Sequence, residues 1–223
     1  MHPALIAVLS LIGAILLLWF VVFRIVRKFR LAPPSRRSVT LLAMILENPV
    51  RRRLFSPAKL LDKVGVAAGM SVLELGPGPG FFTMEAARRL VYSESQGKLY
   101  CLDIEPAMIA RLKEKVSKET LENIALMLGN GEHLPFNDAS FDLAYLVTVL
   151  GEVPDKDRAL QELHRVLRPG GVLSISEYLP DPDYPLRRTT IAWARRAGFE
   201  PFQQFGNFFA YVVNFRRSYA EVR

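Results

Sequence analysis

The sequence predicts an α/β domain on a doubly wound, mostly parallel sheet, carried behind one N-terminal transmembrane helix. Three observations predict it. Short apolar runs alternate with helical ones from Ser56 onward, which suits a parallel sheet covered on both faces. The last two runs face each other across a tight turn, so the sheet closes with an antiparallel hairpin. The first 23 residues hold a long apolar run without a single Lys, Arg, Asp or Glu. A length of 223 residues suits one domain plus an appendage. With half the residues hydrophobic, the chain is neither disordered nor collagen-like, and a single cysteine excludes a disulfide framework or a Cys-rich zinc site. No metal is expected.

Pro3–Phe23, PALIAVLSLIGAILLLWFVVF, is apolar on every side. As a helix it would be about 31 Å long, the thickness of a bilayer's hydrocarbon core. A cleaved signal peptide would carry its positive charge before the run and a small-x-small site after it. Here the charge follows, as Arg-Ile-Val-Arg-Lys-Phe-Arg. A buried core helix of this length would need a larger protein around it. The expectation is a transmembrane anchor over 1–23. Nine of the 29 basic residues, but only Glu47 of the 22 acids, lie between Arg24 and Arg53. That block predicts a single-pass membrane protein whose folded domain faces the cytoplasm, with anionic headgroups attracted to residues 24–55. Ser38–Glu47, SVTLLAMILE, is too short to span: it reads either as an ordinary packing helix or as an interfacial one. Residues 54–223 keep 20 basic and 21 acidic groups, so the folded domain is near neutral and gives no sign of a nucleic-acid partner.

The domain, residues 56–223, opens on a helix with Ser56 as N-cap, Pro57 at the first position and Gly65 as the stop. Strands are expected at Ser71–Leu75, Lys98–Leu102, Ile124–Leu128, Phe141–Val147 and Val172–Ser176. Helices are expected at Phe81–Leu90, Pro106–Lys118, Asp155–Leu167 (ended by Pro169-Gly170-Gly171) and Leu186–Ala197. Glu200–Phe205 and Phe208–Phe215 form the closing hairpin, with Gly206-Asn207 as a two-residue turn.

Ligands of such sheets sit outside the carboxyl ends of the strands. There Glu74 precedes Gly76-Pro77-Gly78-Pro79-Gly80, which leads straight into a helix. The G-x-G-x-G spacing differs from the G-x-G-x-x-G of dinucleotide binders, and Glu74 suits a cationic ligand group better than a pyrophosphate. Asp103 ends the second strand, where a carboxylate can accept both hydroxyls of a ribose. Asn130-Gly131 follows the third, where a side-chain amide could read an adenine edge. His133, His164 and Cys101 read as packing residues.

ELGPGPGFFT (Glu74–Thr83), LDIEPAM (Leu102–Met108), GNGEHLPF (Gly129–Phe136), SFDLAY (Ser140–Tyr145) and ELHRVLRPGG (Glu162–Gly171) stand in one order. They resemble the successive motifs of the class I S-adenosylmethionine-dependent methyltransferases, nearest to the ubiquinone/menaquinone C-methyltransferase-like branch with a methyltransferase type 11 domain. The resemblance spans Ser56 to about Arg217. It implies a seven-stranded, Rossmann-like sheet and S-adenosyl-L-methionine as cofactor. It further implies Gly76, Gly78 and Gly80 beneath the methionine moiety, Glu74 near its ammonium with Thr83 beside it, and Asp103 on the ribose. Met108 would lie against the adenine, Asn130 and Gly131 at the adenine edge, and the backbone around Val147 at the amino group. Two departures stand out. Asn130 replaces the family's usual Asp, and Leu150–Pro154 lacks the His many relatives carry.

Methyl transfer is an in-line displacement whose reactive group the cofactor supplies, so no protein nucleophile is required and no catalytic residue is assigned. A domain held at a bilayer gains effective concentration toward lipid-dissolved acceptors. The expected acceptor is a lipophilic small molecule or lipid with an amine, quinone, phenol or thiol group. Glu152 and Glu177, with Asp181 and Asp183, gather at the strand ends and either face solvent or meet that acceptor. Two other functions are weighed: a non-catalytic membrane scaffold, and a nicotinamide-dependent oxidoreductase, which the glycine spacing disfavours.

Overall fold

The computed structural model describes residues 8, 10–15, 17–19, 21–22, 56–92, 95–179, 181 and 183–218. In the N-terminal unit, Met1–Leu42, the described residues between 8 and 22 are helical with exposed side chains. Among the described residues no helix is long and apolar enough to cross a membrane. The rest of Pro3–Phe23, and all of 24–55 with the helix expected at Ser38–Glu47, lie outside the described residues.

In the second unit the helices are α1 Pro57–Val64, α2 Thr83–Leu90, α3 Pro106–Val116, α4 Lys156–Val166 and α5 Arg187–Arg196. The strands are β1 Ser71–Leu75, β2 Val91–Tyr92, β3 Ser95–Gln96, β4 Lys98–Asp103, β5 Ile124–Leu128, β6 Phe141–Val147, β7 Leu167–Tyr178, β8 Phe199–Gly206 and β9 Ala210–Arg217. One seven-stranded sheet runs β5-β4-β1-β6-β7-β9-β8. Its first five strands are parallel, and β9 lies antiparallel to both β7 and β8. The chain leaves β1 toward β4 and β5, then returns to lay β6 on the other side of β1. That reversal places a crevice at the carboxyl ends of β1, β4 and β6.

Strand alternation divides the core. Val72, Leu99, Cys101, Leu143 and Tyr145 pack under α1, α2 and α3; Leu73, Leu102, Leu146, Ile175 and Phe215 pack under α4 and α5. Helix ends follow the local sequence. Ser56 Oγ accepts from the Lys59 N–H at 3.4 Å, and Gly65 closes α1 with φ 88°. Asp155 Oδ1 caps α4 at the Arg158 N–H, 2.9 Å away.

Two expectations are corrected and one element is added. Gly206 belongs to β8, and the hairpin loop is the three residues Asn207-Phe208-Phe209. Asn207 Oδ1 accepts from the N–H groups of Phe209 and Ala210 at 2.9 and 3.2 Å, so an Asx turn sets the loop length. Pro169-Gly170-Gly171 is not a helix terminator: α4 stops at Val166, and the triplet bulges β7 where its register with β6 jumps between Phe141–Leu167 and Leu143–Val172. Finally, a two-residue hairpin, β2–β3, follows α2. Its strands are too short to leave a periodic signal.

Candidate cofactor and acceptor site

The turn after β1 is folded back on itself. Gly76 N–H donates to Leu102 O at 2.9 Å and Gly80 N–H to Pro77 O at 3.0 Å. Gly76, Gly78 and Gly80 have φ of 71°, 54° and 81°, a region that side chains other than glycine's occupy at a cost. Two of the three also lack room. A Cβ on Gly76 would lie 2.4 Å from Val149 Cγ2, and one on Gly80 2.4 Å from Leu112 Cδ1. A Cβ on Gly78 would meet nothing within 4 Å. The loop is therefore packed at its two ends and open at its middle, a backbone cradle for a ligand.

Asp103, at the end of β4, ties the cradle to the next strand. Oδ2 accepts from the Gly78 N–H and Oδ1 from the Glu105 N–H, both at 3.0 Å. Burial lifts its carboxyl above the usual range, and those N–H donors oppose the shift. A carboxylate has about four acceptor positions, so two remain for ligand hydroxyls. Ile104 follows Asp103 and Leu128 is its register partner on β5, and both apolar side chains are exposed. The sequence reading did not single them out; the signal was an apolar residue immediately after a strand-ending acid. Met108 is buried on α3.

Glu74 does not face the cradle's open side. It shares a face with Cys101 and Tyr145, its register partners on β4 and β6. Its Oε2 accepts from Thr83 Oγ1 at 2.7 Å and from Cys101 Sγ at 3.5 Å. Burial pushes Glu74 up to about 7, against the lowering effect of Thr83, Tyr145 and Cys101. Glu74 and Thr83 thus fasten the start of α2 to the sheet beneath the glycine loop. The row of polar residues continues through Ser174, whose hydroxyl donates to Asn214 Oδ1 at 2.7 Å.

Asn130 and Gly131 sit beyond β5. Asn130 Oδ1 accepts from the Glu132 N–H at 3.0 Å, and a Cβ on Gly131 would meet Leu75 Cδ2 at 2.9 Å. Asn130 therefore shapes its own loop with the same oxygen that would meet a ligand. That loop is clamped from below by α4. Glu162 Oε2 accepts from the Leu134 N–H at 2.8 Å, and Arg165 donates to both oxygens of Glu162 at 2.9 Å while reaching Leu134 O and Phe136 O. The hydrogen bonds from Arg165 pull the Glu162 carboxyl down to about 2 despite burial.

Beyond Val147, Thr148 takes φ 55°, and its N–H donates to Ser176 O at 2.8 Å. A β-branched residue there is strained, which marks functional segments more often than inert ones. The segment it opens touches two places: Val149 packs on Gly76, and a Cβ on Gly151 would fall 2.2 Å from Asp183 O. Glycine loop and acidic loop thus share one wall. Glu177, near the end of β7, is 1% exposed and its Oε1 has no hydrogen-bond partner. Burial first, then repulsion from Asp181 and Glu152, pushes its carboxyl up to about 9. Among the described residues no group of three side chains could hold a metal.

Residues 73–175 match the family described as "Methyltransferase domain". The ubiquinone/menaquinone biosynthesis C-methyltransferase of Hahella chejuensis is 40% identical over 119 residues, 53% of this chain and 47% of that protein. The demethylmenaquinone methyltransferase of Lactiplantibacillus plantarum is 34% identical over 134 residues, 60% of this chain and 55% of that one. An arsenite methyltransferase of Halobacterium salinarum is 35% identical over 120 residues, 54% of this chain and 30% of its own length. The chain thus spans between about a third and about half of these curated relatives. In fold, it matches the crystal structure of a SAM-dependent methyltransferase from Aquifex aeolicus with a TM-score of 0.73 over 82% of this chain and 98% of that one, at 23% identity. Glycine cradle, tethering aspartate and strand order agree with that match: residues 73–175 are similar to the methyltransferase domain family, and the sheet has the fold of a SAM-dependent methyltransferase.

Proposed function

We propose that the chain is a membrane-anchored enzyme that moves the methyl group of S-adenosylmethionine to a lipophilic small molecule or lipid. The observation that carries this reading is the lock between the open Gly78 backbone and the Asp103 carboxylate. Glycine loop and acid together fit an amino-acid-bearing nucleoside: Asp103 accepts ribose hydroxyls, Gly78 leaves room for the methionine chain, and Ile104 and Leu128 flank the base. Glu74 and Thr83 hold the loop from below. Gly131, Asn130 and the backbone at Val147 complete the rim. When bound, the cofactor supplies an electrophilic methyl on sulfur. The protein's part is to align the acceptor with that methyl and exclude water.

Three features support a lipophilic acceptor: the apolar run Pro3–Phe23, the exposed apolar helix residues within it, and the basic block that follows. They fit a single pass with the domain in the cytoplasm. Glu152 and Glu177 would meet the acceptor from the β7 side. The test is thermal unfolding with S-adenosylhomocysteine. At about 100 times its dissociation constant the ligand adds about 2.7 kcal/mol. A shift with NADH and none with S-adenosylhomocysteine would reject the reading. Lipid extracts incubated with methyl-labelled cofactor would then identify the acceptor.

A further inference from the structure

The tip of the β8–β9 hairpin is firmly held and yet ends in two bare aromatic rings. All three loop carbonyls have donors: Arg187 Nη2 donates to Asn207 O at 3.1 Å, the Tyr184 hydroxyl to Phe208 O, and the Leu179 N–H to Phe209 O at 2.7 Å. Tyr184 is itself braced, its ring 5.6 Å from that of Tyr211. The Tyr211 hydroxyl in turn bonds Pro185 O at 2.9 Å and pairs with Thr190 Oγ1 at 2.6 Å. With the Asx turn at Asn207, the loop backbone is fixed from α5, β7 and β9 at once. The side chains it presents share none of that bracing. Phe208 and Phe209 are 61% and 65% exposed, and their rings meet edge to face, 5.7 Å apart. A backbone held this way keeps both rings in water until something covers them. Beside Phe208 lies a cleft whose wall includes Arg187, Arg188, Leu186 and Ile191 and no acid. Asp181 and Asp183, on the preceding loop, are not part of that wall.

Neighbouring rings on a fixed tip, next to a cleft that is cationic and in part apolar, match the chemistry of a bilayer surface. We propose that the β8–β9 tip docks the folded domain on a membrane carrying anionic lipid, with Phe208 and Phe209 entering the apolar layer and Arg187 and Arg188 at the phosphates. Aromatic rings are enriched at membrane interfaces, and arginines are drawn to anionic headgroups. This goes beyond the anchor read from Pro3–Phe23, because the contact belongs to the folded domain and uses none of residues 1–55. Its consequence is orientation. Ala210 pairs with Tyr178 and Ser176 with Val147, so the tip stands at the carboxyl edge of the sheet, where the glycine loop also lies. In the order β1-β6-β7-β9 the two are three strands apart, about 14 Å at the usual strand spacing. Docking at the tip turns that edge, and the mouth of the crevice, toward the lipid. The docking itself does not depend on the methyltransferase reading; delivery of a lipid-dissolved acceptor to the crevice rests on it.

An environment-sensitive fluorophore on Gln204→Cys, in the full-length protein reconstituted into vesicles, tests the docking. Gln204 is exposed in the cleft wall, so labelling there leaves both rings in place, and Cys101, the one native cysteine, is buried. In vesicles containing phosphatidylglycerol, emission should shift to the blue and be quenched by a nitroxide lipid labelled near the headgroup. The same fluorophore on Lys118→Cys, just past α3 at the opposite edge of the sheet, should show neither effect. Phe208→Ser combined with Phe209→Ser should abolish both effects at Gln204→Cys, and because both side chains are exposed the fold should survive. Arg188→Gln should lower the ratio of docked to free fluorophore about fivefold in these vesicles and leave it unchanged in phosphatidylcholine alone. No quenching at Gln204→Cys, or quenching that survives the double serine variant, would overturn the proposal. So would a blue shift without nitroxide quenching, which would set the tip against protein, such as a second copy of this chain. An unchanged ratio for Arg188→Gln would overturn the assignment to anionic headgroups. Release of the chain by alkaline carbonate, after quenching had been observed, would instead reject the anchor and leave the docking tip standing.

Discussion

Asp103 serves two backbone N–H groups and a ligand with one carboxylate, so its substitutions separate structure from binding. Asp103→Asn keeps an oxygen for one of Gly78 and Glu105 but loses the charge; Asp103→Ala loses both tethers. Isothermal titration with S-adenosylhomocysteine should show at least about tenfold weaker binding for the first and near-complete loss for the second, since charge-assisted hydrogen bonds are worth about 1.5–3 kcal/mol each. Full binding by Asp103→Ala would mean that the ribose lies elsewhere. Glu177 makes the opposite prediction for stability. Its carboxyl titrates near 4.5 when unfolded and about 9 when folded, so between those values the native chain holds a proton the unfolded chain has lost. Stability therefore falls as pH rises from 4.5 toward 9. Glu177→Gln removes that loss. It should leave stability unchanged near pH 4.5 and raise it at pH 8, by up to about 5 kcal/mol. An equal effect at both pH values would show that Glu177 is not held protonated. A substitution that stabilises the fold is what a residue kept for binding should give.

At the scale of elements, the Glu162–Arg165 pair joins α4 to the loop that carries Asn130. Opposite shifts come from one cause: the carboxylate drops to about 2 because the guanidinium bonds both its oxygens. The stabilisation is present above about pH 4.5 and lost as pH falls toward 2. The pair is part-buried and charge-assisted on both carboxylate oxygens, so Glu162→Gln should destabilise by about 1–2 kcal/mol at pH 7, read by denaturant unfolding, and by much less at pH 3. Hydrogen exchange should rise first at Leu134, whose N–H then competes with Arg165 for the one remaining oxygen. None of this was visible in the sequence, where Arg165 is one more basic residue on a polar helix. The strands were legible because parallel strands, buried on both faces, read as unbroken apolar runs, and α1 because Ser56, Pro57 and Gly65 each act through backbone chemistry. The glycine loop and Asp103 were legible for the same reason: backbone turns and strand ends restrict residue type. The hairpin loop was misplaced by one residue because Asn207 acts through its side chain on Phe209 and Ala210. Tyr184, Tyr211 and the strained Thr148 were missed because their roles arise from packing between elements far apart in sequence.

For the whole molecule, charge is divided by position: +8 over Arg24–Arg53 against −1 over residues 54–223. The anchor proposed above would hold the domain to a membrane by two separable forces. Burial of the Pro3–Phe23 run is insensitive to salt and pH, whereas basic residues near anionic headgroups contribute about 1 kcal/mol each and are screened within a Debye length of about 8 Å at physiological ionic strength. Full-length protein should therefore stay with the membrane pellet after washing with 1 M salt (about 3 Å of screening length) or with alkaline carbonate. A version lacking residues 1–23 should pellet with phosphatidylserine vesicles at low salt, leave them at high salt, and ignore vesicles of phosphatidylcholine alone. The same deletion should leave S-adenosylhomocysteine affinity unchanged, because every group placed around the cofactor lies between Glu74 and Val149. It should raise the apparent KM for a vesicle-borne acceptor by about 10²-fold or more, the gain that tethering confers, while kcat stays within about twofold. Release of the full chain by carbonate would remove the anchor from this picture, and an unchanged KM in the shortened protein would remove the lipid-dissolved acceptor with it.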